Sequence, residues 1–177
     1  GFNRQLDYLT ENFNIVSTEQ VINATKYLSP LPNDACWLTF DDGYKDHFKY
    51  VMPELLKRNL HGAFFPPRVA IEEYQILDVN LIHHILSSAN DLQQLVFRLN
   101  NDCLDEGVSE SELKAYYDEF AVANRFDNAD TIYVKRMLQH VLPEHLRSSI
   151  AKKLFKEFVG IDVAEFSSEL YMSLNEV

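Results

Sequence analysis

Hydrophobic and polar positions follow two regimes along this chain, and the change falls near residue 76. Before it, helical and extended patterns alternate. Leu6, Leu9 and Phe13 recur at helical spacing across Arg4 to Phe13, and Asn14 to Val16 reads as a short extended piece. Ser17, with Gln20 three residues on, is a capping-box pattern that opens a helix predicted to run to about Leu28. Pro30 to Asp34 is a loop. Ala35 to Phe40 is an apolar run of strand length. Asp46 to Asn59 places Phe48, Val51, Met52, Leu55 and Leu56 on one helical face, and Pro53 inside that pattern should kink the helix or shorten its start. Gly62 to Phe65 is a second buried strand, stopped by Pro66 and Pro67. A strand, a helix and a strand at this spacing predict a βαβ unit whose strands are parallel neighbours.

Beyond residue 76 strand signals nearly vanish. Helical periodicity predicts helices over Leu77–Ser87, Asp91–Cys103, Ser109–Asn124, Thr131–Val141, Pro143–Val159 and from Asp162 through Leu170. Ser109 with Glu112 is a second capping box, and Pro143 suits a first helical turn. No self-similarity recurs at a fixed period, so the run is not a solenoid. The expected division is therefore 1–76, an α/β portion with few parallel strands, and 77–177, a helical insertion or subdomain.

Composition changes this picture little. A hydrophobic share of 46% fits a folded globular chain, and only 5 glycines argue against a sandwich made of many tight turns. Charge excludes more. With 16 basic and 27 acidic residues the formal net charge is −11, which argues against nucleic acid and against docking on an anionic membrane. No apolar run reaches membrane-spanning length and no basic-then-apolar leader is visible, so a cytoplasmic location is expected. Cys36 and Cys103 lack the spacing of a metal knuckle or a disulfide framework and read as buried or half-buried residues.

The candidate chemistry lies at the end of the first strand. Thr39-Phe40-Asp41-Asp42-Gly43-Tyr44 turns an apolar run into two adjacent acids, a glycine and a tyrosine. Strand ends are where α/β proteins place ligands and metals. Neighbouring carboxylates repel, so an ordered pair calls for a cation or a division of labour. The bland alternative is an acid pair capping the following helix near its positive end.

This motif resembles the first motif of the polysaccharide deacetylase family, the NodB-homology carbohydrate esterases. Ala63-Phe64-Phe65 resembles the strand that follows it there, across a helix containing Pro53 and Leu55. The specific resemblance covers roughly residues 35 to 70. It implies a partial (β/α) barrel-like sheet followed by a helical insertion, and a metal-dependent N-deacetylase acting on a polysaccharide or glycan precursor. It further implies Asp41 as the catalytic base and Asp42 as a metal ligand, with zinc as the expected ion. A bound divalent metal acidifies water and polarises the amide carbonyl, while a free carboxylate takes the proton. The family's two histidine ligands come from an H-x-x-x-H motif that this chain does not contain. Its metal site is thus expected to be incomplete, and Ser168 to Ser173 resembles the lead-in to the next family segment.

The histidines offer no substitute set. His83 and His84 are adjacent on a helix and diverge by about 100°. His140 and His145 flank Pro143 at a spacing that is no zinc signature. His61 stands at a helix end beside Gly62. His47 sits close to the motif, although an exposed helical position is the favoured reading. Asn23-Ala24-Thr25 fits a glycosylation acceptor but lies within a predicted helix. Tyr116 and Tyr117 are expected to pack in a core rather than to stack on sugar.

Two other function classes compete. One is a non-catalytic binding or assembly module built on residues 77–177, associating as a homo-oligomer through exposed apolar surface. The other is a haloacid-dehalogenase-like phosphatase, whose acids alternate as D-x-D rather than standing side by side.

Overall fold

The computed structural model describes residues 1–177, which form two compact units. One comprises Gly1–Gln75 together with Ser167–Val177, and the other Ile76–Phe166. The architecture is mixed α/β, mostly helix, with two small two-stranded parallel sheets and no barrel.

In the first unit, α1 (Phe2–Asn12) leads into β1 (Asn14–Ile15) and α2 (Thr18–Tyr27). The Ser17 capping box is closed in both directions: the Gln20 N–H donates to Ser17 Oγ at 3.2 Å, and the Ser17 N–H donates to Gln20 Oε1 at 2.8 Å. The apolar run after the loop is divided into β2 (Ala35–Cys36) and β3 (Thr39–Asp41), where one strand from Ala35 to Phe40 was expected. The cause is an exchange of partners. β1 pairs in parallel with β2, and its last donor, the Val16 N–H, reaches the Cys36 carbonyl at 2.9 Å. From the Leu38 carbonyl onward the partner is β4 (Ala63–Phe65), parallel, with Thr39 opposite Ala63 and Asp41 opposite Phe65. Trp37 and Leu38 fall between the two ladders.

The helix joining β3 to β4 opens with two α-helical residues, Lys45 and Asp46, and then widens. His47–Val51 forms a wide π-helical turn that runs into α3 (Met52–Lys57), with Pro53 in the first α-helical turn. Pro53 has no N–H to donate to the preceding turn, so a regular α-helix from Asp46 would leave a carbonyl unmatched. Beneath these elements Leu6, Leu38 and Leu55 are buried together, with Phe2, Phe40 and Phe64 packed on them. Burial of each of the three leucines contributes about 1.5–3 kcal/mol. After β4, Pro66 and Pro67 stop the strand and the short α4 (Arg68–Ile71) follows.

The second unit is all helix: α5 (Asp78–Ser88), α6 (Leu92–Asp105), α7 (Glu110–Phe120), α8 (Ala129–Arg136) and α9 (Glu144–Phe158). Side chains at three N-caps accept backbone N–H groups: Asp91 from Gln93 and Gln94, Ser109 from Glu112, and Asn128 from Thr131. Helix α8 does not continue to Val141 as an α-helix. It widens into a second π-helical turn, Met137–Val141, which keeps both Met137 and Leu138 in the core. That core joins Leu81, Ile82 and Ile85 of α5 to Leu95 and Leu99 of α6 and to Ile150, Leu154 and Phe155 of α9, all fully buried. Cys103 is buried and Cys36 half-buried, as read from the sequence. Tyr116 and Tyr117 depart from the expected core packing: Leu113 is the buried residue of α7, while Tyr116 is half-buried and Tyr117 exposed.

The last helix, α10 (Val163–Leu170), begins in the second unit and ends in the first. Residues 167–177 therefore group with the N-terminal unit and not with the helical segment to which periodicity assigned them. Long-range pairing is the reason: the Met172 N–H donates to the Gly43 carbonyl at 2.9 Å, and Ser167 Oγ donates to the Gln75 carbonyl at 3.3 Å. No helix is long and apolar enough to cross a membrane.

One buried acid strains the helical core. Asp102 on α6 is almost fully buried, its Oδ2 has no hydrogen-bond partner, and Arg98 stands 3.8 Å from its Oδ1. Burial pushes its carboxyl above the ordinary value, against the pull of Arg98 and Lys153. The native state thus holds this proton more tightly than the unfolded chain does, and stability falls as pH rises through the raised value. Asp102→Asn is expected to raise the melting temperature at pH 7, with the gain shrinking as the pH drops through the carboxylate range. Melting curves of both proteins between pH 3 and 7 check this.

Candidate functional site

The two acids stand at the carboxyl end of β3, at the rim of a parallel pair. Asp41 closes the strand, in register with Phe65, and is exposed. The chain then turns through two consecutive left-handed residues, Asp42 at φ 68° and Gly43 at φ 64°. Aspartate is among the few non-glycine residues that tolerate this region. Gly43 has no alternative, because a Cβ there would lie 2.8 Å from Pro66 Cβ and 3.0 Å from Pro66 Cα. The tight exit is thus held by the proline that stops the neighbouring strand.

The turn gives the two carboxylates different surroundings. Asp42 is half-buried, and its Oδ2 accepts the Tyr44 hydroxyl at 3.2 Å. Asp41 faces solvent. Neither acid is in an ion pair. The two carboxylates thus differ in exposure and in partner: Asp42 accepts a hydroxyl and Asp41 is open to solvent.

A clasp from the chain's last residues fixes the loop. Tyr44 and Tyr171 form an antiparallel bridge with rings stacked 5.7 Å apart. Lys45 Nζ donates to the Ser168 carbonyl at 2.7 Å. Nothing in the local pattern around Asp41 announces these contacts, which join positions more than 120 residues apart. The same holds for Pro66 against Gly43. Only the Tyr44 hydroxyl on Asp42 had a local signal, in the spacing of the motif itself.

His47 corrects the expectation of an exposed helical histidine. The π-helical turn brings its ring among Phe40, Tyr44 and Phe64, with centroids 5.7, 5.7 and 5.9 Å away. Its Nδ1 is buried without a hydrogen-bond partner. Burial holds its pKa below the ordinary histidine value, while Asp42, Asp46 and Asp41 pull it upward. Removing one of those charges leaves burial less opposed. In Asp42→Asn the His47 pKa is expected to fall further, as read from the pH dependence of its ring protons by NMR. The depressed value also means that the stability His47 contributes is present above the unfolded histidine pKa and is lost as pH falls through the folded one.

The other histidines do not join this rim. His61 is exposed just before β4. His83, His140 and His145 are exposed in the helical unit, and His84 is half-buried there against Phe166, with ring centroids 4.6 Å apart. No group of three His, Cys, Asp or Glu side chains gathers anywhere in the chain as a metal-binding set. Asp42 can offer one ligand, and the covered Nδ1 of His47 offers none. The donors present at this rim do not by themselves fit a resident divalent ion.

Comparison of the chain with protein-family models, with curated proteins and with solved structures finds no match.

Proposed function

We propose that this chain carries the first catalytic segment of a carbohydrate N-deacetylase, a hydrolase of the acetamido C–N bond on a polysaccharide or glycan precursor, with a helical unit inserted after its second motif strand. In this reading β3 and β4 are two strands of a barrel-like parallel sheet, Asp41 is the base, and Asp42 is one ligand of a divalent metal such as zinc. The observation that carries it is the asymmetry of the adjacent acids at the rim. Asp42 is turned through a left-handed conformation and held by Tyr44, while Asp41 is left open at the strand end. A simple helix-capping pair would not require this. Helical geometry begins at Lys45, three residues after Asp42, and the hydrogen bond on the Asp42 carboxylate comes from the Tyr44 hydroxyl rather than from a backbone N–H of that turn. A D-x-D phosphatase arrangement is disfavoured because the acids here are adjacent and glycine follows.

The test is acetate release from N-acetylated chito-oligosaccharides by the protein expressed from its complete reading frame with zinc supplied. Release is expected in equal amounts with free amine, and Asp41→Asn should lower the rate by about 100-fold or more, as loss of a general base does. Absence of release by the unaltered protein, or full activity of Asp41→Asn, contradicts the reading.

A further inference from the structure

The helical unit contains a groove of about 810 Å³ between the last turn of α7, the loop that follows it and the outer side of α8. Such a volume falls within the range of sites that hold small organic ligands. On one wall Tyr116 and Phe120, four residues apart on α7, set their rings 6.4 Å from each other. Ile132 lines the facing wall, and Val122 stands at 63% exposure on the connecting loop. The apolar walls are therefore partly open to water and are not closed on one another.

The polar groups of the groove are sided. Arg136 and His140 line it from α8 and the π-helical turn, and Glu119 lines it from α7. The neighbouring cations are already engaged within the fold: Lys135 pairs with Asp127 at 2.7 Å, and Arg147 donates to the Gln139 carbonyl at 2.8 Å. Arg136 forms no ion pair, and Glu119 does not come within ion-pair distance of it. The guanidinium is thus free in a chain with 27 acidic and 16 basic residues. Below it the helix widens into a π-helical turn, Met137–Val141, that keeps Met137 and Leu138 in the core while His140 stays exposed on the groove side. Single π-helical turns of this kind occur frequently at functional sites.

We propose that this groove is a binding site for a small monoanion on an apolar body, a carboxylic acid with an aromatic or alkyl frame. The planar fork of Arg136 matches a carboxylate bidentately, His140 adds a second donor, and Tyr116, Phe120 and Ile132 cover the apolar frame. The chain's overall negative charge repels anions at long range, so selection is made by short-range contacts. Glu119 on the opposite wall disfavours a second anionic group and restricts the ligand to one. This site lies wholly in the helical unit and does not depend on the deacetylase reading.

The experiment is calorimetric titration of the 177-residue chain with 2-naphthoate, with neutral 2-naphthamide as comparison. Saturable one-to-one binding of the carboxylate is expected, with the amide at least about tenfold weaker, the effect of losing one charge-assisted interaction. Arg136→Ala should weaken 2-naphthoate by a similar factor. Arg125→Ala, which removes an equal charge from a side chain lying over Phe126, should leave it unchanged. Melting curves establish that both variants are folded. The proposal is overturned by absence of saturable binding at millimolar 2-naphthoate, by equal binding of acid and amide, or by equal losses in the two arginine variants.

Discussion

Gly43→Ala will destabilise the motif-bearing unit by roughly 2–5 kcal/mol, the sum of a left-handed alanine at about 1–2 and a forced contact at about 1–3. Both contributions act at one atom. The backbone there has φ 64°, and the added Cβ would meet Pro66 Cβ at 2.8 Å and Pro66 Cα at 3.0 Å. The obstacle is a rigid ring on a backbone that ends β4, and no flexible side chain can swing away to admit the methyl. Against a total stability of about 5–15 kcal/mol for an ordinary domain, the loss is large. It can be read cleanly because Trp37 is the chain's sole tryptophan and lies between β2 and β3 in the same unit. Urea unfolding followed by Trp37 fluorescence should show the midpoint moving to markedly lower urea. A midpoint unchanged within error would mean that Pro66 does not brace the turn.

Phe155→Ala should have a comparable effect on the other unit, about 3–5 kcal/mol. Phe155 on α9 is fully buried, and its ring meets that of Phe166 edge-on at 5.4 Å. Truncation removes an aromatic ring from a closely packed site and leaves a cavity that the surrounding helices can close only in part. The readout is helical circular dichroism, since the second unit has five α-helices of eight or more residues lying wholly within it. The ellipticity transition should move to lower urea. A shift below about 1 kcal/mol would show that the site collapses around the missing ring.

What could be read from the sequence was local. Both capping boxes close as the spacing of Ser17 with Gln20 and of Ser109 with Glu112 requires, because a cap is decided within four residues. The βαβ unit is present, since the apolar runs around Phe40 and Phe64 are too short to be helices and are joined at crossover length. The break at Trp37 and Leu38 could not be read, because it depends on which strand lies alongside and not on the run itself. Neither π-helical turn is visible in a 3.6-residue periodicity. At His47 the cause is Pro53, six residues on, and at Met137 it is the fit of two side chains into a core built by other helices.

The site divides in the same way. The adjacent acids and the glycine were legible because six consecutive residues carry them. The bracing of the turn was not, since Pro66, Tyr171 and Met172 come from distant parts of the chain. The burial of His47 is not legible, because α-helical spacing places it outward and the π-helical turn rotates it inward. The free guanidinium of Arg136 is likewise invisible in sequence, where its neighbour Lys135 looks the same and only the structure shows which of the two is paired.

The central proposal is that the Asp41–Asp42 rim supplies part of a divalent-ion site that the residues present do not complete. The most direct measurement is NMR line broadening of the chain's amide signals during titration with paramagnetic manganese ion. Broadening is expected to begin at Asp41, Asp42, Gly43 and Tyr44, to saturate only at high manganese because the ligand set is partial, and to disappear from these signals in Asp42→Asn. Broadening spread evenly over the acidic surface, or a pattern at the rim that Asp42→Asn leaves unchanged, would contradict the account.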